Sequence, residues 1–216
     1  MALLLPQGIG HSTHVGVKHW DAERIAYAID HDKIALTEPQ IALLRSTNSL
    51  TVADIISEDQ LVAAGLPNEF EIETAYNLIT TSGLTFLSGR ITGSTSINPL
   101  SAGYTRIGVG DSSTAAAVSQ TDLQAATNKY WKQVVASGYP SISGGVIQWQ
   151  SAFGSSVANF AWNEWAIDNG GTGTAGGTGN DNSTVSSTLF FNRAVASLGT
   201  KASGTTATIT VTITET

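Results

Sequence analysis

The C-terminal end of the chain carries the pattern that most restricts its fold. Ala207, Ile209, Val211 and Ile213 alternate strictly with threonine, and a period of two is typical of a half-buried β-strand. Natural sheet edges are usually protected by lysine or proline, and residues 205–216 contain neither. The sequence therefore predicts a strand that is central in its sheet or paired with a neighbouring chain.

A second period-two stretch, residues 145–167, contains three of the five tryptophans. It predicts two strands joined at the small residues Gly154, Ser155 and Ser156. Because each tryptophan can bury a large area, we expect this hairpin to form the centre of the core. The residues predicted to be core or structural are Trp149, Phe153, Trp162 and Glu164 of this stretch and Ile209, Val211 and Ile213 of the final strand.

The remaining patterns divide the chain into two regions. Strands are predicted at residues 104–109, 129–136 and 189–198, and helices at 21–29, after Thr37, at 57–65 and at 68–81. Thr37 with Gln40 forms a capping pair, and Gly65 fits a helix C-terminus. Residues 84–91 fit either a strand or a short helix. The predicted class is α+β, mainly β: an N-terminal arm and helical region at 1–98, then an antiparallel β-sandwich at 99–216.

Two segments are predicted to be irregular. Residues 1–20 contain Gly8, Gly10 and Gly16 among polar side chains and are typical of an arm that partner contacts order. His11, His14 and His19 would make polar contacts from this arm. Residues 170–182 form a loop of glycine, threonine and asparagine, which suits an outward-facing tip.

Charge and composition exclude several functions. Only 12% of residues are charged, about half the usual share. The surface must therefore consist largely of Thr, Ser, Asn and Gly, and partners are expected to cover much of it. The net charge is −7 with no basic block, which argues against nucleic acid as a partner. The chain has no cysteine, the start MALLLPQG lacks the basic region of a signal peptide, and no apolar stretch is long enough to span a membrane.

Four groups of residues invite a chemical interpretation, and each has a simpler one. Gly108 and Gly110 lack the spacing of a phosphate loop and fit a strand exit. His11, His14 and His19, with His31, match no zinc spacing. Glu164 would need a second carboxylate, such as Asp168, or a nearby histidine for acid–base catalysis, and all histidines lie in the first 31 residues. A buried glutamate accepting backbone hydrogen bonds is the simpler expectation. Trp149, Trp162 and Trp165 fit either a sugar-stacking platform or core packing. We predict no catalytic residue, cofactor or bound metal.

Residues 78–214 resemble a group of tailed-bacteriophage virion proteins, described as head-fibre, decoration, minor structural or tail-fibre-associated. The shared pattern is a helix ending in Gly-Leu, a strand ending in Gly-x-Gly, a Thr-Asp-Leu turn, an Asn-aromatic start before a glutamate, a Leu…Asn-Arg strand and a threonine-rich final strand. In this chain these are Gly83-Leu84, Gly108 and Gly110, Thr121-Asp122-Leu123, Asn159-Phe160 with Glu164, Leu189 to Arg193, and the C-terminal strand. Residues 1–77 carry no such resemblance.

The resemblance implies a structural role in a virion and no enzymatic activity. The expected function is that of a capsid decoration or head-fibre-type protein, located in the virion and bound to other virion proteins. Neck, baseplate or tail-fibre adaptors are the alternative, and a carbohydrate-binding module that contacts a host glycan is a third interpretation. The sparse charge also predicts a homo-oligomer or a lattice subunit, and the resemblance implies a trimer as the form of the oligomer.

Overall fold

The computed structural model describes residues 11–21, 25, 27–29, 33–46, 56, 58–66, 71–75, 77–135, 137–171, 173, 181 and 189–215. In this part the chain is mainly β, with two five-stranded antiparallel sheets and a few short helices, as predicted. The strands are β1 (His11–Asp21), β2 (Glu71–Ala75), β3 (Leu78–Ile79), β4 (Arg106–Gly110), β5 (Lys129–Gln133), β6 (Ser141–Ser143), β7 (Val146–Phe153), β8 (Glu164–Asp168), β9 (Phe190–Val195) and β10 (Thr205–Glu215). The helices are α1 (Glu38–Ser46), α2 (Glu58–Ala63) and α3 (Thr81–Ile91).

Sheet A has the order β2-β1-β10-β7-β6, so the C-terminal strand β10 is at its centre. The four apolar residues of β10 are buried and the threonines between them at 208, 210, 212 and 214 are half-buried, as the alternation predicts. The absence of lysine and proline from this strand left two possibilities: a central position in the sheet or pairing with a neighbouring chain. The structure shows the central position, because β10 pairs with β1 on one side and with β7 on the other.

The prediction of an irregular arm is wrong for residues 11–20. They belong to β1, which pairs with β10 from His11 opposite Glu215 to Asp21 opposite Thr205. This pairing joins the two ends of the sequence and satisfies the backbone of both strands, a long-range effect that local composition does not reveal. Residues 1–10 lie outside the described residues.

Sheet B has the order β3-β9-β8-β4-β5. Its central strand β8 and the neighbouring strand β4 are buried along their whole length. One face of this sheet contributes Ile107, Trp165 and Ile167 to the main core. The opposite face carries Ala166 and is covered by Leu123 and Trp131. Burial on both faces explains why β8 lacks the alternating exposure of a surface strand.

The two sheets share one hydrophobic core, which contains Trp149, Phe153, Ile209, Val211 and Ile213 of sheet A beside the sheet B residues. Trp162 joins this core from the segment between β7 and β8, and its ring centroid lies 5.0 Å from that of Phe153. The α+β, mainly β class is confirmed by the two sheets, and the finer description as a sandwich stays a prediction.

The predicted hairpin is wrong in its pairing, although both of its strands exist. β7 pairs with β10 and β6 in sheet A, whereas β8 pairs with β4 and β9 in sheet B. The chain crosses from one sheet to the other between Phe153 and Glu164, where Ala161 bridges to Thr200. Alternation defines which side chains share a face but not which strand is the neighbour.

The helix predicted at 68–81 is also wrong: residues 71–75 form the edge strand β2 and residues 78–79 form β3. The undecided stretch at 84–91 lies in α3, where the side chain of Thr80 accepts a hydrogen bond from Gly83 N at 3.1 Å and caps the helix. Strands β1 to β3 and helix α3 precede the predicted boundary between residues 98 and 99, and the other strands follow it. Both sheets therefore contain strands from both sides of this boundary.

The helical signals near the N-terminus hold where the structure describes them. Gln40 Oε1 accepts from Thr37 N at 2.9 Å at the start of α1, and Gly65 follows α2 with a φ of +68°. Ile25 and residues 27–29 are helical, and Ile25, Ala28, Ile34, Ile56 and Leu61 form a small core separate from the main one.

Candidate interaction surface

Glu164 forms the centre of a buried clasp on the outer face of sheet B. Its Oε1 accepts a hydrogen bond from Ala125 N at 2.7 Å, and its Oε2 accepts from Gln124 N at 3.0 Å and from Arg193 Nε at 2.6 Å. Both charged side chains are 0% exposed. The carboxylate therefore fastens the segment between β4 and β5 onto the sheet.

Arg193 completes the clasp from the neighbouring strand β9. Besides Glu164, its guanidinium donates to Gln120 Oε1 at 3.0 Å and to Thr114 O at 2.8 Å. The sequence indicated that Glu164 would accept backbone hydrogen bonds at a loop. It did not indicate Arg193, which becomes a neighbour only because β8 and β9 pair with Ala166 opposite Arg193.

Asp168 is the second carboxylate that an acid–base site with Glu164 would need. It forms an ion pair with another arginine, Arg106. Arg106 Nε donates to Asp168 Oδ1 at 2.9 Å, a second guanidinium nitrogen donates to Oδ2, and both side chains are buried. Arg106 also lies 5.4 Å from the ring centroid of Trp131. Glu164 pairs with Arg193, and Asp168 pairs with Arg106. These two separate buried ion pairs have a structural role and do not form an acid–base site.

Gly108 and Gly110 are required by this packing. A Cβ on Gly108 would lie 2.6 Å from a ring carbon of Trp131, and one on Gly110 would lie 2.3 Å from Glu164 Oε1. The Gly-x-Gly pattern therefore makes room for a tryptophan and a carboxylate that cross the backbone of β4. This supports the strand interpretation over the phosphate-loop one.

The glycine-rich loop is attached at the positions that the structure describes. Gly171 N and Gly173 N donate to the carbonyls of Tyr104 and Gly103 at 2.7 and 3.0 Å. Further along, Asp181 pairs with Lys132 and accepts a hydrogen bond from Gln133 N at 3.0 Å. Gly171 is buried and Asp181 is half-buried, so the prediction of an uncovered, outward-facing tip is wrong at these two positions, whereas Gly173 is exposed. The remaining residues, 172, 174–180 and 182, lie outside the described part.

Asp181 also changes the electrostatics of β5. Burial of the ring, together with the negative charge of Asp181, raises the pKa of Tyr130 to about 12. The phenol therefore keeps its proton at every physiological pH, and this group contributes no charge to the surface.

Trp149, Trp162 and Trp165 do not form an exposed platform. Trp149 is 3% exposed and Trp162 and Trp165 are 0% exposed, and Trp149 Nε1 and Trp162 Nε1 donate to the carbonyls of Leu100 and Ala158. A sugar ring stacks on an open aromatic face, which these three residues do not offer. Core packing is their role.

For the three histidines of β1, the structure describes only the backbone. His11, His14 and His19 lie opposite Glu215, Thr212 and Ala207 in the β1–β10 ladder; their side chains and all of His31 lie outside the described residues. In the part of the chain that is described, no three His, Asp or Glu side chains converge on a common metal position.

Apolar side chains are exposed on α3 and next to it. Leu84 is 54% exposed and Ile91 is 84% exposed, both on the helix, and Val118 is 52% exposed. Thr81 N donates to Val118 O at 2.8 Å, which holds the Val118 loop against the start of the helix. We call Leu84, Ile91 and Val118 the α3 face. Leu84 and Ile91 are seven residues apart and therefore share one side of the helix, and exposed apolar side chains on one surface are typical of protein interaction sites.

An apolar cavity of about 220 Å³ lies beside α3, where the two sheets meet. Its walls include Ile147 and Ile213 of sheet A, Ile79 and Phe191 of sheet B, and Leu87 of α3. Ile142 of the edge strand β6 also lines it and is 75% exposed. The cavity could hold an apolar group.

Comparison with known proteins found no matching family model, no matching curated protein and no matching solved structure. None of the helices in the described ranges has the length and apolar character needed to cross a bilayer.

Proposed function

We propose that this chain is a structural protein of a tailed-bacteriophage virion, of the capsid decoration or head-fibre type. The observation that carries the proposal is the position of the residues that resemble those virion proteins. Gly110, Glu164 and Arg193, from three separate segments of the pattern, meet in one buried clasp. Leu123 of the Thr-Asp-Leu turn is buried over the same face of sheet B, and Asp122 pairs with Lys129 at 2.7 Å.

This convergence supports a structural role because each group has a structural task. The glycine makes space for the carboxylate, the carboxylate binds the loop backbone, and the arginine neutralises the carboxylate. A pattern made of such residues specifies a stable fold and not a reaction. Virion proteins need this kind of stability, since they have to keep their shape while bound to a shell or tail.

The α3 face is the surface that we propose for contact with other virion proteins. Leu84, Ile91 and Val118 are apolar, exposed and outside the main core. The acidic residues of the β region in the described part are mostly held in ion pairs with Arg106, Lys129, Lys132 and Arg193. An apolar contact of this kind would suit binding to a shell or to further copies of this chain.

Binding to particles tests this proposal. Leu84→Asp and Ile91→Asp should each reduce co-sedimentation of the purified protein with virions that lack it by about tenfold or more, because a charge would be buried at the contact. Val62→Asp is the matched control, since Val62 is also exposed, at 60%, but belongs to α2. Equal binding of all three variants would contradict the role of the α3 face.

Neck, baseplate or tail-fibre adaptor remains the alternative within the same class, and the number of copies per particle separates it from decoration. A host glycan as partner loses the platform on which it was based, since Trp149, Trp162 and Trp165 are buried. Homo-oligomerisation stays part of the proposal, but β10 no longer supports it, because its edges are paired within the chain.

A further inference from the structure

The apolar cavity beside α3 has walls that are held in place by contacts of their own. Phe86 of α3 and Phe191 of β9 are buried, and their rings pack edge-on with centroids 5.7 Å apart. Trp149 of β7 is also buried, and its indole nitrogen donates a hydrogen bond to Leu100 O at 3.0 Å. The cavity is therefore preformed, as ligand sites usually are.

Asn77 is the only residue with a polar side chain among the described residues that line this cavity. It lies between β2 of sheet A and β3 of sheet B, where the chain passes from one sheet to the other. Its side-chain amide nitrogen is buried and has no hydrogen-bond partner in the described part of the chain. Because a buried donor without an acceptor costs free energy, this atom favours an occupant that brings an acceptor.

The size and polarity of the cavity restrict that occupant. A buried water molecule typically makes about three hydrogen bonds, and one amide donor among apolar walls does not supply them. The volume is about 220 Å³, whereas an apolar protein cavity of about 150 Å³ already holds benzene. None of the described lining residues is ionisable, so a charged ligand would be buried without a counter-charge. These properties fit a small, uncharged organic molecule.

The cavity has an access route beside the edge strand β6. Ile142 of this strand lines the cavity and is 75% exposed, and Leu87 of α3 lines it and is half-buried. A small molecule can therefore enter past Ile142 without separating the two sheets.

We propose that this cavity binds a small, uncharged apolar molecule with one hydrogen-bond-accepting oxygen, such as a ketone. Its apolar part packs against Ile147, Trp149 and Phe191, and its oxygen accepts from the side-chain nitrogen of Asn77. The site is separate from the α3 face, since Leu84, Ile91 and Val118 do not line the cavity. The inference does not depend on the proposed function.

Two probes of nearly equal shape test the proposal: cyclohexanone, which has an acceptor oxygen, and methylcyclohexane, which has a methyl group instead. Each is titrated into the full chain with isotope-labelled isoleucine methyl groups, and binding is followed by nuclear magnetic resonance. Ile79, Ile147 and Ile213 line the cavity, so shifts at their methyl groups locate the bound probe. The titrations are repeated with Asn77→Leu, which keeps the size of the side chain and removes the donor.

Both probes should shift the lining methyl groups of the parent chain. Asn77→Leu should weaken cyclohexanone binding by about threefold to tenfold, the value of one net hydrogen bond, and should leave methylcyclohexane binding unchanged or tighter. Equal effects of Asn77→Leu on the two probes would overturn the proposal. Absence of shifts at the lining methyl groups with either probe would overturn it too.

A cavity-filling variant tests the location independently. Leu87→Trp places a larger side chain at the rim of the cavity and should abolish binding of both probes. Ile91→Trp is the matched control: it is on the same helix, 84% exposed and outside the cavity lining, and should bind both probes as the parent chain does. Undiminished binding by Leu87→Trp would show that the probes bind elsewhere and would overturn the proposal.

Discussion

Arg193 is the side chain on which the outer face of sheet B depends most. It has no contact with solvent and is held by a carboxylate, a side-chain amide and a backbone carbonyl. A buried pair of this kind is stable only while both charges are present, since each one was taken out of water at considerable cost. Glu164 without Arg193 would be a buried charge bound only by two backbone N–H groups.

Removing the guanidinium therefore has a defined cost. Arg193→Met should lower the free energy of unfolding by about 3–5 kcal/mol, because it leaves the carboxylate of Glu164 without its counter-charge. The same substitution at Arg45, an exposed residue of α1, should cost less than about 1 kcal/mol. Urea unfolding of the two variants measures the difference, and a cost below 1 kcal/mol at Arg193 would show that the pair contributes little.

Tyr130 predicts how stability depends on alkaline pH. Its pKa is about 12 in the folded chain against 10.0 for an unperturbed tyrosine. The folded chain thus keeps a proton that the unfolded chain releases between these values, so stability should be unaffected by this group below pH 10 and should fall as the pH rises from 10 to 12. In Tyr130→Phe the free energy of unfolding should fall less steeply in this window than in the parent chain. If the free energy of unfolding fell equally steeply with pH in both chains up to pH 12, the raised pKa of Tyr130 would be refuted.

At the scale of elements, α3 packs directly against β9, with Gly83 and Phe86 facing Phe191. Gly83 makes it possible, because a Cβ at this position would lie 2.0 Å from the carbonyl oxygen of Phe191 and 2.9 Å from Ile79. Both obstacles are in buried or partly buried structure, so the helix would have to move. Phe86, one turn later, packs edge-on against Phe191 at 5.7 Å and would move with it.

Gly83→Ala should accordingly destabilise the fold by about 1–3 kcal/mol, the usual cost of inserting a methyl group into packed structure. Gly16→Ala is the control: a Cβ on Gly16 in β1 would meet nothing within 4 Å, and alanine should leave stability unchanged or raise it by up to about 1 kcal/mol. Thermal unfolding of both variants makes the comparison. Equal effects of the two substitutions would mean that α3 is not seated as described.

Sequence patterns predicted the positions of strands better than they predicted which strands pair with each other. The alternation in β10 and in β7 reports burial at each residue directly, so those strands and their buried faces could be identified. The β1–β10 pair joins residues about 200 positions apart in the chain, and no local pattern encodes such a contact. Glu71 to Ala75 favours a helix locally, and its pairing with β1 overrides that preference.

Local sequence patterns also failed to predict the partners of Glu164 in the clasp and the exposed residues of the α3 face. Glu164 could be predicted to be buried because it stands between tryptophans, but Arg193 and Gln120 become its neighbours only through the register of sheet B and the fold of the loop above it. The α3 face was missed because residues 84–91 fitted two kinds of element. Which of its side chains would be exposed depended on that choice.

At the scale of the whole molecule, sparse charge is the property that most needs an explanation. Only 12% of residues are charged, whereas about 25% is usual for a soluble globular domain. The described ion pairs in the β region take several of these charges into the interior. A shell or tail protein, whose surface is largely covered by neighbours, can tolerate such a composition.

The measurement that tests the proposed virion role most directly is quantitative mass spectrometry of purified virions from a phage whose genome encodes this chain. Decoration of a symmetric shell places one subunit at each equivalent position, so we expect this chain in hundreds of copies per particle, at a fixed ratio to the major capsid protein. A copy number of about a dozen or fewer would favour the neck, baseplate or tail-fibre alternative. Absence of the chain from purified virions would contradict the account.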